Sequence, residues 1–320
     1  MTGRRLTVTR AQQGQTIAEL LRRQLGLSWK TARQLVQSGR VRLGGKVCSD
    51  PLRRLSAGQR IDITAAEAPK RRPSAGQPAV RFADEHLVVV EKPPGLTTMR
   101  HPAEAAEFGK RAQRFLPPTL ADLLPALLER RGPVIAVHRI DKETSGLVVF
   151  ARSRAAAKHL GRQFREHTIE RRYLAVVRGR AKDARIESWL VRDRGDGRRG
   201  SGPPAQGQRA ITHVKVVEEL GDFTLVECRL ETGRTHQVRI HLAEAGTPLC
   251  GERVYDRPPH GKPLPDESGA ARVALHAAFL ALDHPATGKR LRWTAPLPSD
   301  LAQLVERLRA RAKSGSGPKG

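Results

Sequence analysis

The chain is predicted to be an α+β protein with a mixed, mainly antiparallel sheet and a small separate module at its N-terminus. Two features carry this expectation. Beyond residue 80 the strand-like stretches outnumber the helix-like ones and do not alternate regularly with them. Before residue 64 a helix–helix–hairpin order stands apart. It is followed by residues 64–79, rich in Ala, Pro, Gly and charge, which read as flexible. The expected division is a module over 1–72, a linker over 73–79, a larger domain over 80–311 and a disordered basic tail over 312–320.

In the module, Thr16-Ile17-Ala18-Glu19 is a capping box, since hydroxyl and carboxylate can each satisfy an orphan N–H at a helix start. Ile17, Leu20 and Leu21 follow on one face, and Gly26 is a stop. Ser28 caps a second helix with Ala32, Leu35 and Val36 on one side, ended by Gly39. Residues 41–48 alternate about Gly44-Gly45 as two short strands, and 60–63 make a final strand.

In the larger domain, strands are expected at 87–91, 134–137, 147–151, 173–177, 211–217, 224–230, 273–282 and 291–294. Helices are expected at 119–130, 153–167 and 300–311. A further helix over 236–245 has Thr235 as its N-cap and Gly246 and Pro248 as stops. Residues 193–209, rich in Gly, Arg and Pro, read as a mobile surface loop.

With 58 Lys and Arg against 32 Asp and Glu, the chain carries a formal charge of +26 and attracts polyanions; nucleic acid leads, a generally basic proteome being the alternative. No run of 18 apolar residues or apolar signal core occurs, so the expectation is a cytoplasmic protein without membrane insertion. Cys48, Cys228 and Cys250 have no CxxC spacing and outline neither a disulfide set nor a metal site.

The chemistry concentrates in His138-Arg139-Ile140-Asp141-Lys142-Glu143-Thr144-Ser145-Gly146, a polar stretch between two β-branched apolar runs. It presents one carboxylate on a rigid scaffold, with a guanidinium two residues earlier. Asp141 is therefore a candidate catalytic acid. The competing role is an Asx turn to the N–H groups of Thr144 and Ser145.

The pattern HRxDxxTSG resembles the catalytic loop of the RluA-type RNA pseudouridine synthases. Four further passages match in order: 91–96 (EKPPGL), 172–179 (RYLAVVRG), 230–243 (LETGRTHQVRIHLA) running on to Gly251, and 272–277 (RVALHA) followed by 283–289. Residues 28–50, SWKTARQLVQSGRVRLGGKVCSD, resemble an S4 RNA-binding domain of αL type. Together the likenesses cover nearly all of residues 14–310.

The resemblance implies a pseudouridine-synthase fold and the isomerisation of uridine in structured RNA, ribosomal RNA first and tRNA second. Asp141 would act as nucleophile at C1′ or base at C2′, with Arg239 paired to it and Tyr173 against the base. Leu275 would line the pocket, a core leucine being the alternative. Arg139 would occupy the vacated space or hold a flanking phosphate, and Lys92 would touch a phosphate, with a structural ion pair and a plain turn as their alternatives. Arg33, Arg40, Arg42 and Lys46 are the expected phosphate contacts of the S4 module. No cofactor is implied, no GxxxxGK[ST] or GxGxxG occurs in a fitting context, and a monomer is expected. His236 and His241 are five residues apart, the wrong interval for a shared metal on one helix face, so no metal is expected. Ile140 and Glu252 depart from the family's common Leu and Asp and are expected to leave the chemistry untouched. The competing functions are an inactive RNA-binding ribosome-assembly factor and a nucleoside or sugar hydrolase.

Overall fold

The structure, a computed structural model, describes residues 4–37, 39–63, 76–100, 117–128, 132–256 and 265–315. These fall into two compact units, one within Met1–Ser74 and Met99–Leu123, the other within Ala75–Thr98 and Leu124–Gly320.

In the first unit, β1 (Arg4–Thr7), α1 (Ile17–Leu25), α2 (Trp29–Gln37), β2 (Val41–Leu43), β3 (Lys46–Val47) and β4 (Arg60–Ile63) follow in order. The strands form an antiparallel sheet in the order β1-β4-β2-β3. The Thr16 hydroxyl accepts the Glu19 N–H at 3.3 Å, while the Glu19 carboxylate turns to Arg23 at 3.2 Å. Ser28 caps α2 through the Thr31 N–H at 3.3 Å. Ile17, Leu21, Val36, Val41 and Ile61 bury the apolar sides of both helices against the sheet. Gly44 and Gly45 both take positive φ (58° and 85°), which a two-residue hairpin turn requires. β1 has no signal in the sequence: it is short, carries two arginines and exists through its pairing with β4.

The second unit is organised by β5 (Ala79–Ala83), β6 (Leu87–Lys92), β7 (Ile135–Ala136), β8 (Ser145–Ala151), β9 (Glu170–Arg178), β10 (Ala184–Val191), β11 (Gly200–Ser201), β12 (Gln208–Glu219), β13 (Phe223–Leu230), β14 (Leu275–Asp283) and β15 (Arg290–Thr294). They form one 11-stranded sheet in the order β11-β10-β12-β13-β9-β14-β8-β6-β5, with β15 beside β14 and β7 beside β8. Among the described residues only β14 and β8 run parallel, so the sheet is mixed and mainly antiparallel, as the sequence predicts. All seven residues of β8 are buried, which explains its unbroken apolar run.

The remaining helices are α3 (Leu120–Leu127), α4 (Arg154–Arg165), α5 (Gln237–Glu244) and α6 (Ser299–Gly315). Thr119 and Asp122 cap α3 reciprocally; of the expected 119–130, residues 129–130 lie outside those described. Ser153 caps α4, which packs Ala156 and Leu160 against Leu87 and Val149. α6 lays Leu304, Val305 and Leu308 on Val176 and Leu225.

Three expectations are corrected. α5 starts from His236 in the left-handed region (φ 59°), not from a Thr235 cap. Its first turn is held instead by the buried Gln237, whose amide bonds Thr232, the Arg234 N–H, the Ile211 carbonyl and Thr212. Residues 312–315 continue α6 rather than starting a disordered tail, and 316–320 lie outside the described residues. Residues 193–209 are organised: Asp193 accepts the N–H groups of Gly195 and Gly197 at 2.8 and 2.9 Å, Arg194 pairs with Asp196 at 3.0 Å, and β11 and the start of β12 follow. Cys228 and Cys250 are buried, which pushes both thiols up to about 12. Among the described residues no helix is long and apolar enough to cross a membrane.

Candidate active site

Asp141 lies on the connection from β7 to β8, and nearly every residue around it is fastened by its backbone or side chain. The His138 Nε2 accepts the Val149 N–H at 2.9 Å, and its ring stacks on Phe164. Accepting that bond needs a neutral ring, and burial, helped by Arg171, lowers His138 to about 3. Thr98 donates to the Ile140 carbonyl at 2.8 Å, and Arg272 donates to the Glu143 carbonyl at 3.0 Å.

Lys92 provides the deepest anchor. Its ammonium is 0 % exposed and donates to the carbonyls of Pro93 (2.9 Å), Leu96 (2.8 Å) and Lys142 (3.1 Å). It therefore cannot reach a phosphate, and the sequence expectation for Lys92 is corrected. A lysine at a strand end reads as a surface cation, and only the fold reveals the three carbonyls converging on it.

The Asp141 carboxylate spends none of its bonds on its own loop. The Thr144 N–H goes to the Asp141 backbone carbonyl at 3.2 Å, so the Asx-turn role does not hold. The carboxylate instead faces Arg239 Nη1 at 3.5 Å and His236 Nε2 at 3.9 Å. Arg239 rises from the first turn of α5, and Glu252 grips it through Nε at 2.7 Å and Nη2 at 2.8 Å. Glu252 Oε1 also accepts the N–H groups of Arg253 (3.0 Å) and Val254 (2.8 Å). Burial opposes both charges. The Glu252 hydrogen bonds, with Asp141 beyond, nevertheless hold the guanidinium above its ordinary range, and Arg239 holds the Glu252 carboxyl below its own. The guanidinium also lies over the Tyr255 ring at 5.2 Å, and the Tyr255 hydroxyl meets His236 Nδ1 at 2.7 Å. Burial lowers His236, against the pull of Asp141.

A cavity of about 400 Å³, in the range of small-molecule sites, opens over this cluster. Arg139, Asp141, Tyr173, Arg239 and Leu275 all line it, so five residues chosen from sequence come together. Tyr173 is on β9, opposite Cys228 and Ala277, and burial raises its phenol. Leu275 is the first residue of β14. The other four lie in the first unit: Arg33 exposed on α2, Arg40 half-buried before β2, and Arg42 and Lys46 exposed on the hairpin. Leu43 is registered with Lys46 and Arg42 with Val47, which puts Arg42 and Lys46 on opposite faces.

Sequence reasoning missed His236 and Tyr255 and set Glu252 aside. The expectation that Glu252 leaves the chemistry untouched is corrected, because it carries the arginine that faces Asp141. The metal alternative for His236 and His241 meets different partners: His241 bonds Thr212 at 2.9 Å and Ser188 at 3.1 Å, away from Asp141. Among the described residues lining the cavity, Asp141 is the one carboxylate. Glycoside hydrolysis ordinarily takes two, whereas uracil leaves with its charge spread over two carbonyls and needs less acid help.

Residues 86–244 match the family described as RNA pseudouridylate synthase, and residues 17–61 match the S4 domain. Ribosomal large subunit pseudouridine synthase D of Zymomonas mobilis is 36% identical over 291 residues, covering 88% of this chain and 90% of that protein. The protein of the same name in Escherichia coli O6:H1 is 31% identical over 319 residues, covering 95% and 94%. The solved human RNA pseudouridylate synthase domain containing 4 superposes with a TM-score of 0.57 at 25% identity, over 72% of this chain and 93% of that one. With a likeness that runs through both units and includes the loop of Asp141, the chain belongs to the RNA pseudouridylate synthase family, isomerases that convert uridine in RNA to pseudouridine.

Proposed function

We propose that this isomerase modifies uridine in large-subunit ribosomal RNA, in the cytoplasm, with Asp141 as its catalytic carboxylate. The names of the relatives support the RNA class. The observation that carries the role of Asp141 is its carboxylate, unspent on its own loop, 3.5 Å from an arginine and within the cavity lined by Tyr173. The chemistry breaks N1–C1′ and joins C5 to C1′; the C5 proton leaves and N1 gains one. Asp141 either attacks C1′ as N1 departs, the resulting ester bond breaking and freeing the carboxylate when C5 joins C1′, or removes the C2′ proton as N1 departs and returns it when C5 joins C1′. Arg239, 3.5 Å away, fixes the direction of the carboxylate. Tyr173 lies against the base and Leu275 packs beside it. Flipping the base out costs roughly a few kcal/mol, offset by phosphate contacts from Arg33, Arg40, Arg42 and Lys46 in the S4 module (residues 1–72). Arg139 fills the vacated space or holds a flanking phosphate. Bonds are redistributed within one nucleotide, so no cofactor or metal is needed, and one chain carries every group, so a monomer suffices.

The test is reverse-transcription mapping of carbodiimide-treated ribosomal RNA and tRNA exposed to the wild-type protein and to Asp141→Asn. The expected result is new pseudouridine at unchanged RNA mass in large-subunit RNA, absent with Asp141→Asn. Equal activity in the variant refutes the role of Asp141, modification confined to tRNA refutes the substrate, and release of free uracil means hydrolysis.

A further inference from the structure

Trp29 opens α2 in the first unit and is 45 % exposed, in a segment where residues 4–63 carry 13 Lys and Arg against 3 Asp and Glu. The guanidinium of Arg22, from α1, lies over the indole at 5.1 Å from the ring centre. Arg33 follows four residues later on the same side of α2 and is itself exposed. Arg23, the neighbour of Arg22, is tied to Glu19 at 3.2 Å, so the cation over the ring is held on a helix whose charges are ordered. Most apolar positions of this unit turn into its core; Val47 and Leu52 are also exposed, but neither offers an aromatic face beside a cation.

An indole left in water amid cations is poorly suited to an acidic protein partner, which the arginines alone would serve. It suits a ligand with both a flat π-face and a phosphate: an unpaired nucleotide. A base paired in the interior of a helix keeps both faces inside its stack and offers nothing to the ring. We propose that Trp29, backed by Arg22 and flanked by Arg33, is a stacking site for an unpaired base of the RNA substrate, so that the S4 unit reads single-stranded character and not phosphate charge alone. The proposal rests on the reading that this unit contacts RNA.

The test titrates the full-length protein with octacytidylate, which contains no uridine for the active site, and with a blunt RNA duplex of equal charge. Binding and tryptophan fluorescence are followed for wild type, Trp29→Phe and Trp29→Ala at several salt concentrations. The single strand is expected to quench the wild-type fluorescence, and Trp29→Phe to abolish the quench while keeping affinity within about 3-fold. Trp29→Ala is expected to lose about 5- to 150-fold on the single strand, the range of one base–aromatic stack. Its duplex affinity and salt slope stay unchanged, since no charge is removed. Undiminished single-strand binding by Trp29→Ala overturns the stacking site while the salt slope still upholds RNA contact by charge. An equal loss on the duplex overturns it too, by showing that the ring only orders Arg22. A wild-type protein that binds neither probe overturns the RNA reading of the unit together with the proposal.

Discussion

Glu252 occupies two of the three guanidinium nitrogens of Arg239, at 2.7 and 2.8 Å, and thereby leaves Nη1 as the one aimed at Asp141. The grip is bidentate and buried, and backbone N–H groups fix the acid itself. Glu252 is a positioning residue, acting on the carboxylate only through the arginine. Glu252→Gln keeps the shape and loses the charge. It is expected to lower kcat by about 10- to 100-fold, the usual scale for an outer-shell partner, and to move KM by no more than about 3-fold. Single-turnover rates on an RNA substrate measure both, and an unchanged kcat would contradict the role.

Lys92 ties the Asp141 loop to the turn after β6 through three carbonyls. Lys92→Met removes the buried charge but strands those acceptors, and the second effect dominates because each unsatisfied group costs about 1–3 kcal/mol. A clear drop in the urea midpoint is expected, with activity falling further than stability since the loop loosens. Burial, aided by Arg272, lowers Lys92 from 10.5 to about 7. Its folded value lies below its unfolded one, so its titration adds stability that is complete above 10.5 and is lost as pH falls through about 7. The wild-type midpoint should therefore rise between pH 7 and 9 relative to that of Lys92→Met. Parallel curves would show that the ammonium does not titrate there.

The acid side of the stability curve depends on His241 and His276, both fully buried and lowered by burial to about 4. Both are hydrogen-bonded inside the second unit, His276 to Ser145 and the Ala295 carbonyl. Their folded values lie below the ordinary 6.5, so their contribution is present above 6.5 and lost as pH falls through about 4. In that window these two rings make the unfolded chain bind up to two more protons, a slope of about 3 kcal/mol per pH unit, and His138, lowered to about 3, adds a third. Urea midpoints should fall steeply from pH 6.5 to 4.5, and less so for His241→Gln combined with His276→Asn. A flat wild-type profile would count against buried neutral rings.

The sequence announced its buried strands because residues covered on both faces form continuous apolar runs, as in β8. It concealed β10 and β1, which lie toward the sheet edges and have exposed, charged positions. Asp141, Tyr173 and Arg239 were legible through ordered motifs, although strand, loop and helix bring them together from distant positions. Glu252 and Lys92 were misjudged for a common reason. A charged residue's work depends on what the fold brings to its terminal atoms, and local spacing says nothing about three carbonyls or a guanidinium arriving from elsewhere. His236 was hidden differently: a non-glycine residue with φ of 59° leaves no compositional trace.

Gly146, which ends the HRxDxxTSG pattern, is required by the parallel pair at the centre of the sheet. It takes φ of 111° and is registered with Ala277, and a Cβ placed there would lie 2.3 Å from the Ala277 carbonyl oxygen and 2.7 Å from its nitrogen. Both atoms are backbone, so no rotamer change relieves the clash; β8 and β14 must part. Parting them would break the 2.9 Å bond from Ser145 to His276 and the 3.1 Å bond from Arg272 to Ser145 that support the loop from below. Gly288 also has positive φ (66°) but nothing within 4 Å of an added Cβ, so Gly288→Ala isolates the backbone cost of about 1 kcal/mol. Gly146→Ala is expected to destabilise by at least about 3 kcal/mol in urea unfolding or to leave the protein insoluble. The Ala277→Gly background should not rescue it, because the obstructing atoms remain. If Gly146→Ala behaved like Gly288→Ala, the close approach of these two strands would be wrong, and with it the rigid seat of Asp141.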